Sequence, residues 1–335
     1  MKLHEALRID LTELNEQLIA IAASDPDAKG HSWIGESVAR LVEAGGKRLR
    51  PMMVLVGARF GLESDPTHVG KAALILEYLH MASLIHDDII DSSDLRRGEP
   101  TLHKAVGIPE AAHIANYMMA RAVEWAMEGE IDPAEDDRRE QRSDKPRLAD
   151  VASLLMQLCM GEYQQLGNRF NFDLTLPDYL EKSRNKTAVL MANCFRIGAE
   201  LNQANKAVCK RLYAFGEALG MAFQIKDDVL DYSETSEQIG KPAGSDLRGG
   251  NVTLPVLYAL EDKDSELARE IRSLGADSPD EAFARVTRQV AASGAIERSL
   301  ELSRAYAKKA ARIIEKLRPH PATEDLDIFL RYFTE

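Results

Sequence analysis

The 335-residue chain carries 54 acidic against 42 basic residues, a net charge of −12 that argues against a nucleic-acid partner, which needs a basic footprint. Apolar residues make up 45% and charged residues 29%, a globular balance with material for one large domain or two ordinary ones. No apolar run approaches the ~20 residues of a membrane span, the N-terminus has no signal-peptide core, and Cys159, Cys194 and Cys209 lack CxxC spacing, so a soluble, cytoplasmic protein with buried thiols is expected.

In chain order, nearly every segment reads as helix, and strand-like alternation is absent. Residues 5–23 and 32–44 are amphipathic, and Gly45-Gly46 stops the second. Pro51 suits the first turn of a helix running to about Arg59. Asp65-Pro66 opens a long apolar helix that ends in Asp87-Asp88-Ile-Ile-Asp91. A helix rich in Ala and Met covers 110–127. Residues 128–147 turn polar and charged with two prolines, and read as a surface loop or disordered insertion. Helical patterning resumes over 148–166, 176–201 and 206–230. A Gly-punctuated loop follows at 240–250, then helices from Thr253 to about Leu317 with breaks near Gly275 and Gly294.

Two features carry chemistry. On a helix, Asp87 and Asp91 share a face, and stacked carboxylates suit a hard cation such as Mg²⁺ that bridges them to substrate phosphates. Alone, such a cluster reads equally well as a solvated helix end. The same spacing recurs in Asp227-Asp228-Val-Leu-Asp231, about 140 residues later and again at the end of an apolar helix. The pair is a stronger signal, and basic groups accompany it: Lys47, Arg50, Arg96, Arg97, Lys186 and Lys241. Carboxylates with Arg and Lys suit a metal-bound diphosphate ester, because Arg grips phosphate oxygens bidentately and Lys supplies a point charge.

These motifs resemble the trans-isoprenyl diphosphate synthases. GGKRLRP (45–51), HDDIIDSSDLRRGEPTLH (86–103), GEYQQ (161–165), Lys186-Thr187, FQIKDDVLD (223–231) and GKPAGSDLRGGNVTLP (240–255) occur in family order. GKPAGSDL followed by GNVTLPVLYAL is most similar to the catalytic component of heptaprenyl diphosphate synthase. The resemblance implies an all-α, isoprenoid-synthase-type helical bundle around a deep central cavity, formed as a single domain. It implies Mg²⁺ held by Asp87, Asp88 and Asp91 opposite Asp227, Asp228 and Asp231. Arg96 would contact the allylic diphosphate, while Lys47, Arg50, His80 and Arg97 would bind isopentenyl diphosphate. Lys186, Thr187 and Gln224 would line the reacting centre, and Lys241 would reach the leaving diphosphate. Where relatives carry Gly-Asp, this chain has Ala115-Asn116, and the insertion at 128–147 is also a departure.

The implied reaction is head-to-tail condensation of isopentenyl diphosphate onto an allylic diphosphate. Metal and Arg neutralise the leaving diphosphate, and the oxygens of Gln224 and Thr187 hold the allylic cation. Two alternatives are weighed against it. A terpene cyclase shares the first acid motif but needs neither the second cluster nor the isopentenyl-binding set. A non-catalytic prenyl-binding partner subunit would be expected to lose acids, and all six are intact. Relatives that stop early place an aromatic ring four or five residues before the first cluster. Here those positions are Ser83 and Ala82, so the floor is expected at Leu79 and Tyr78, with Met118 or Met119 facing them, although core filling is the default for a helical Met. A product of six to eight units for a quinone side chain is expected, passed on to membrane enzymes, with a farnesyl or geranylgeranyl synthase as the shorter-chain alternative. The expected assembly is a homodimer, or a hetero-oligomer with a small non-catalytic subunit.

Overall fold

The computed structural model describes residues 2–23, 25, 32–62, 66–96, 98–127, 148–233 and 243–334. Arg97, Lys241 and the insertion at 128–147 lie outside the described residues. The described chain is helical nearly throughout, as the all-α reading expects. Its sheet is a minimal antiparallel hairpin, β1 (Leu95–Arg96) with β2 (Glu99–Pro100), in which Leu95 pairs with Pro100 and Arg96 with Glu99. Two-residue strands are too short to show alternation in sequence. No described helix is long and apolar enough to cross a membrane.

The chain divides into two compact units, Met1–Ser153 with Cys194–Leu212 and His320–Ile328, and Leu154–Asn193 with Tyr213–Pro319 and Phe329–Glu335. In the first, the helix expected over 5–23 is two, α1 (Leu3–Leu7) and α2 (Leu11–Ala23). Arg8 takes a left-handed φ of 56° and donates its N–H to the carbonyls of Glu5 and His4, ending α1. Asp10 then accepts from the Thr12 N–H at 2.8 Å, satisfying a first-turn donor of α2. Next come α3 (Ser32–Glu43), α4 (Leu49–Ala58) and α5 (Pro66–Ile90), then α6 (Leu102–Val106) and α7 (Ile108–Met127). Pro51 sits in the first turn of α4, where a missing N–H costs nothing. The core gathers along α5, which packs against α4 and α7 and buries Leu76, Leu79, Ala82 and Ile85, with Ile114, Met118 and Ala122 buried on α7. Gly57 of α4 lies against the Phe195 backbone, where any Cβ would collide.

The second unit takes most of α8 (Leu148–Gly167), then α9 (Leu176–Ser183). A capping box starts α9: the Asp178 N–H donates to Thr175 Oγ1 at 3.3 Å, and the Thr175 N–H returns to Asp178 Oδ2 at 3.2 Å. The single helix expected over 176–201 carries a π turn, Arg184–Ala188, before continuing as α10 (Val189–Leu201). The Val189 N–H reaches back five residues to the Arg184 carbonyl. After α11 (Lys206–Ser233) come α12 (Ser245–Arg248), α13 (Leu254–Ala259), α14 (Glu266–Arg272), α15 (Asp280–Ala292) and α16 (Ala295–Leu317). A last helix, α17 (Thr323–Thr334), lies beyond the expected end and buries Leu326, Phe329 and Phe333.

Candidate functional site

In the first unit the acid cluster closes α5, and its three carboxylates do different things. Asp87 is half-buried and Asp91, one turn on, is exposed. Asp88 is rotated about 100° from Asp87 and is buried. Arg96 of β1 grips it, donating Nε to Oδ1 at 2.9 Å and to Oδ2 at 2.8 Å, with a second guanidinium nitrogen 2.7 Å from Oδ1. Burial works against the Arg96 charge, but Asp88, backed by Asp87 and Asp91, holds its pKa above the ordinary value. Thr101 donates to the Ser93 carbonyl at 2.7 Å and pairs with buried His103 at 3.2 Å, which fixes the segment carrying Arg96.

His80 opens onto a recess that Arg48, Glu77, Met81, Asp88, Arg96 and Thr101 also line, so the structure brings His80 and Arg96 together. Lys47 and Arg50 do not line it. Lys47 is exposed, while Arg50 is half-buried in the first turn of α4. Burial lowers the Arg50 pKa, opposed by Glu77 and Cys194, and its enclosed Nε has no hydrogen-bond partner. An enclosed guanidinium with an unused donor suits an anionic ligand.

Sequence reasoning missed Arg48. It has a left-handed φ of 49° and is buried, with Nε on Asn15 Oδ1 at 2.8 Å, one terminal nitrogen on the Val42 carbonyl at 2.8 Å and the other on Glu77 Oε1 at 3.1 Å. Nothing in KRLR distinguishes this anchoring arginine from its neighbours.

Of the proposed length-setting residues, Leu79, Ala82 and Met118 are fully buried, and Met119 is half-buried. Ser83 is also half-buried and donates to the His80 carbonyl at 2.8 Å. Tyr78 is buried, with its ring 5.0 Å from that of Trp125 on α7.

In the second unit Asp227 is exposed, whereas Asp228 and Asp231 are buried and used by the protein. Asp228 accepts from Tyr179 Oη at 2.6 Å and from Gln224 Nε2 at 2.8 Å. Asp231 accepts from Ser245 Oγ at 2.7 Å and from the N–H groups of Ser245 and Asp246 at 3.2 and 3.1 Å. Thr187, in the π turn, donates to Gln224 Oε1 at 2.5 Å. Lys186 pairs with Glu162 at 3.0 Å, and Gly161 lets α8 approach so closely that a Cβ would lie 2.6 Å from the Lys186 nitrogen. A π turn in an α-helix frequently marks a functional site, but RNKTA carries no sequence signal for one. Asp246, also missed, is raised well above the usual carboxylate range by burial and by Asp231 and Asp228.

Among the described residues no three His, Cys, Asp or Glu side chains converge as a metal cage. Mg²⁺ does not need one, because it typically takes one or two carboxylates and completes its shell with phosphate and water. In the first unit Asp91 is exposed and Asp87 half-buried one turn before it, and in the second unit Asp227 is exposed, so each cluster keeps carboxylate donors that fit such an ion.

Residues 31–290 match the polyprenyl synthetase family. The chain is 40% identical to heptaprenyl diphosphate synthase component 2 of Geobacillus stearothermophilus over 316 residues, covering 94% of this chain and 92% of that protein. The heptaprenyl diphosphate synthase structure from Staphylococcus aureus superposes with a TM-score of 0.84 at 30% identity, covering 100% of this chain and 99% of that one. The polyprenyl synthase of Caulobacter crescentus, complexed with calcium and isoprenyl diphosphate, gives 0.83 at 30% identity, covering 100% and 97%.

Proposed function

The chain belongs to the polyprenyl synthetase family and is a prenyltransferase, a long-chain polyprenyl diphosphate synthase, and on that premise we propose how its residues act. Asp87 and Asp91 of the first cluster and Asp227 of the second would each hold Mg²⁺ for the allylic diphosphate, and that metal would supply neutralisation of the charge developing on the leaving group. Lys47, Arg50, His80 and Arg97 are assigned to isopentenyl diphosphate, Arg96 to the allylic diphosphate and Lys241 to the leaving diphosphate. The observation that carries this reading is the Thr187–Gln224 pair. A hydroxyl and an amide oxygen are held together beside Lys186, with the hydroxyl proton committed to the amide. Their lone pairs suit a carbocation, and no activated Ser or Cys nucleophile is required. Incubation with isopentenyl and farnesyl diphosphates plus Mg²⁺ should give all-trans polyprenyl diphosphate. Chelation of the metal should stop it, and absence of any elongated product would refute the reading.

The proposed product has six to eight units (C30–C40) and serves a quinone side chain. The small residues Ala82 and Ser83, with Leu79 and Met118 buried one turn back or on α7, support a tail that passes the first acid cluster before meeting a floor. Ala82→Phe is expected to shorten the product towards farnesyl or geranylgeranyl while preserving turnover of the first condensation. Chromatographic sizing of the products tests this, and an unchanged length would remove Ala82 from the path.

We place the enzyme in the cytoplasm as a homodimer, with a small second subunit as the alternative assembly suggested by the component 2 designation of the Geobacillus relative. Met156, Met160, Tyr163 and Leu166 form an exposed apolar stripe on α8, 63%, 43%, 72% and 40% accessible. A stripe of this kind supports helix-on-helix association. Met160→Lys combined with Tyr163→Lys is expected to shift sedimentation to the monomer, and a fully active wild-type monomer at micromolar concentration would sink the dimer.

A further inference from the structure

We infer that Tyr179 is a positioning residue for the reacting centre, fixing Asp228 and through it the direction of the Gln224 amide. The inference rests on the reading of Thr187 and Gln224 as the oxygens that face the allylic cation. Tyr179 is fully buried on α9, packed with Ile225 and Leu254, and its single phenolic proton goes to Asp228 Oδ2 at 2.6 Å. The other carboxylate oxygen, Oδ1, takes the Gln224 amide nitrogen at 2.8 Å. With Oδ2 accepting from Tyr179, Oδ1 accepts from the NH₂ end of the amide, which turns Oε1 towards Thr187, 2.5 Å away. The two ends of a glutamine amide are almost equal in shape, and here the polarity of the partners decides between them. Asp228 thus lends both oxygens to protein donors, and its place in the second acid cluster is orientation rather than metal ligation. Removing the Tyr179 hydroxyl leaves a buried carboxylate oxygen unsatisfied and lets Asp228 turn, carrying Gln224 with it.

The test is steady-state kinetics of Tyr179→Phe, Gln224→Leu and the double variant, with Mg²⁺ titration and unfolding midpoints in metal-free buffer. Tyr179→Phe is expected to lower kcat by roughly tenfold or more, on the scale of one hydrogen bond to a charged group. Both diphosphate KM values and the Mg²⁺ half-saturation should change by less than about twofold, on the reasoning that transition-state interactions act on kcat. In the Gln224→Leu background the same substitution should cost nothing further. Asp228→Asn, which can donate as well as accept, should repeat the kcat loss without a shift in Mg²⁺ half-saturation, and serves if Tyr179→Phe folds poorly. An unchanged kcat, a full additional loss in the Gln224→Leu background, or an effect confined to Mg²⁺ half-saturation would each overturn the inference. A wild-type chain that makes no polyprenyl product sinks the functional reading, and this inference with it. An active wild type with an unaffected Tyr179→Phe sinks this inference alone.

Discussion

Asp87→Ala and Asp227→Ala, made separately, are each expected to lower turnover by about 10²-fold or more, the scale of removing transition-state charge stabilisation. Asp227 is exposed and Asp87 half-buried, unlike the buried Asp88, Asp228 and Asp231, so truncation at these two positions costs less packing. Unfolding midpoints should therefore stay near wild type, within the roughly 0.5 kcal/mol usual for surface changes. The neighbouring acids provide the contrast. Asp88→Ala strips Arg96 of its buried partner, and Asp231→Ala leaves the N–H groups of Ser245 and Asp246 without their acceptor, so both should lower stability as well as activity. Steady-state rates at saturating Mg²⁺, measured beside thermal melts, separate the two behaviours. Near-normal turnover in Asp87→Ala or Asp227→Ala would mean that the metal does not sit on these clusters.

That contrast shows where sequence reading stops. The position of the first cluster was legible because Pro66 starts α5 and an uninterrupted apolar run carries it to Asp87. The i, i+4 rule put Asp87 and Asp91 together, and the same rule, followed one residue further, turns Asp88 away by about 100°. What no local rule supplies is the partner: Arg96 comes from a hairpin whose strands are two residues each, and Tyr179 is 49 residues from Asp228. The π turn at Arg184–Ala188 was hidden because its residues are ordinary helix formers, and only the five-residue hydrogen bond reveals it. The left-handed residues at Arg8 and Arg48 were illegible for the opposite reason, since arginine has no local preference for that backbone: the closing turn of α1 sets it at Arg8, and tertiary bonds hold it at Arg48. The last helix escaped because Pro319 and Pro321 signal an end to α16 and say nothing about Leu326, Phe329 and Phe333 beyond them.

The largest loss of stability is expected from Glu77→Ala. Arg48 is 4% exposed and Glu77 3%, and the pair meets at 3.1 Å inside the first unit. Burial removes both charges from water, so the pair adds little net stability while intact but is costly to break. Truncating one partner of a buried pair leaves the other uncompensated, at about 3–5 kcal/mol. Two details place Glu77→Ala at the upper end. Glu77 also supports the charge of Arg50, its second oxygen being buried without a hydrogen-bond partner of its own. Arg48 bonds the Val42 carbonyl and Asn15 as well, so a displaced guanidinium releases α2 and the end of α3 together. Glu77→Gln keeps the acceptor and the volume, and should lose less stability while raising the KM for isopentenyl diphosphate, because Lys47 and Arg50 flank Arg48 in the same loop and first turn. Pairing Glu77→Ala with Arg48→Met should recover part of the loss, since Arg48 then leaves no buried charge without its partner, while Arg50 still lacks the support of Glu77. Urea unfolding midpoints of the three variants decide the matter. If Glu77→Ala unfolds at the wild-type midpoint, the arginine does not depend on this carboxylate, and another anchor holds the loop that carries Lys47 and Arg50.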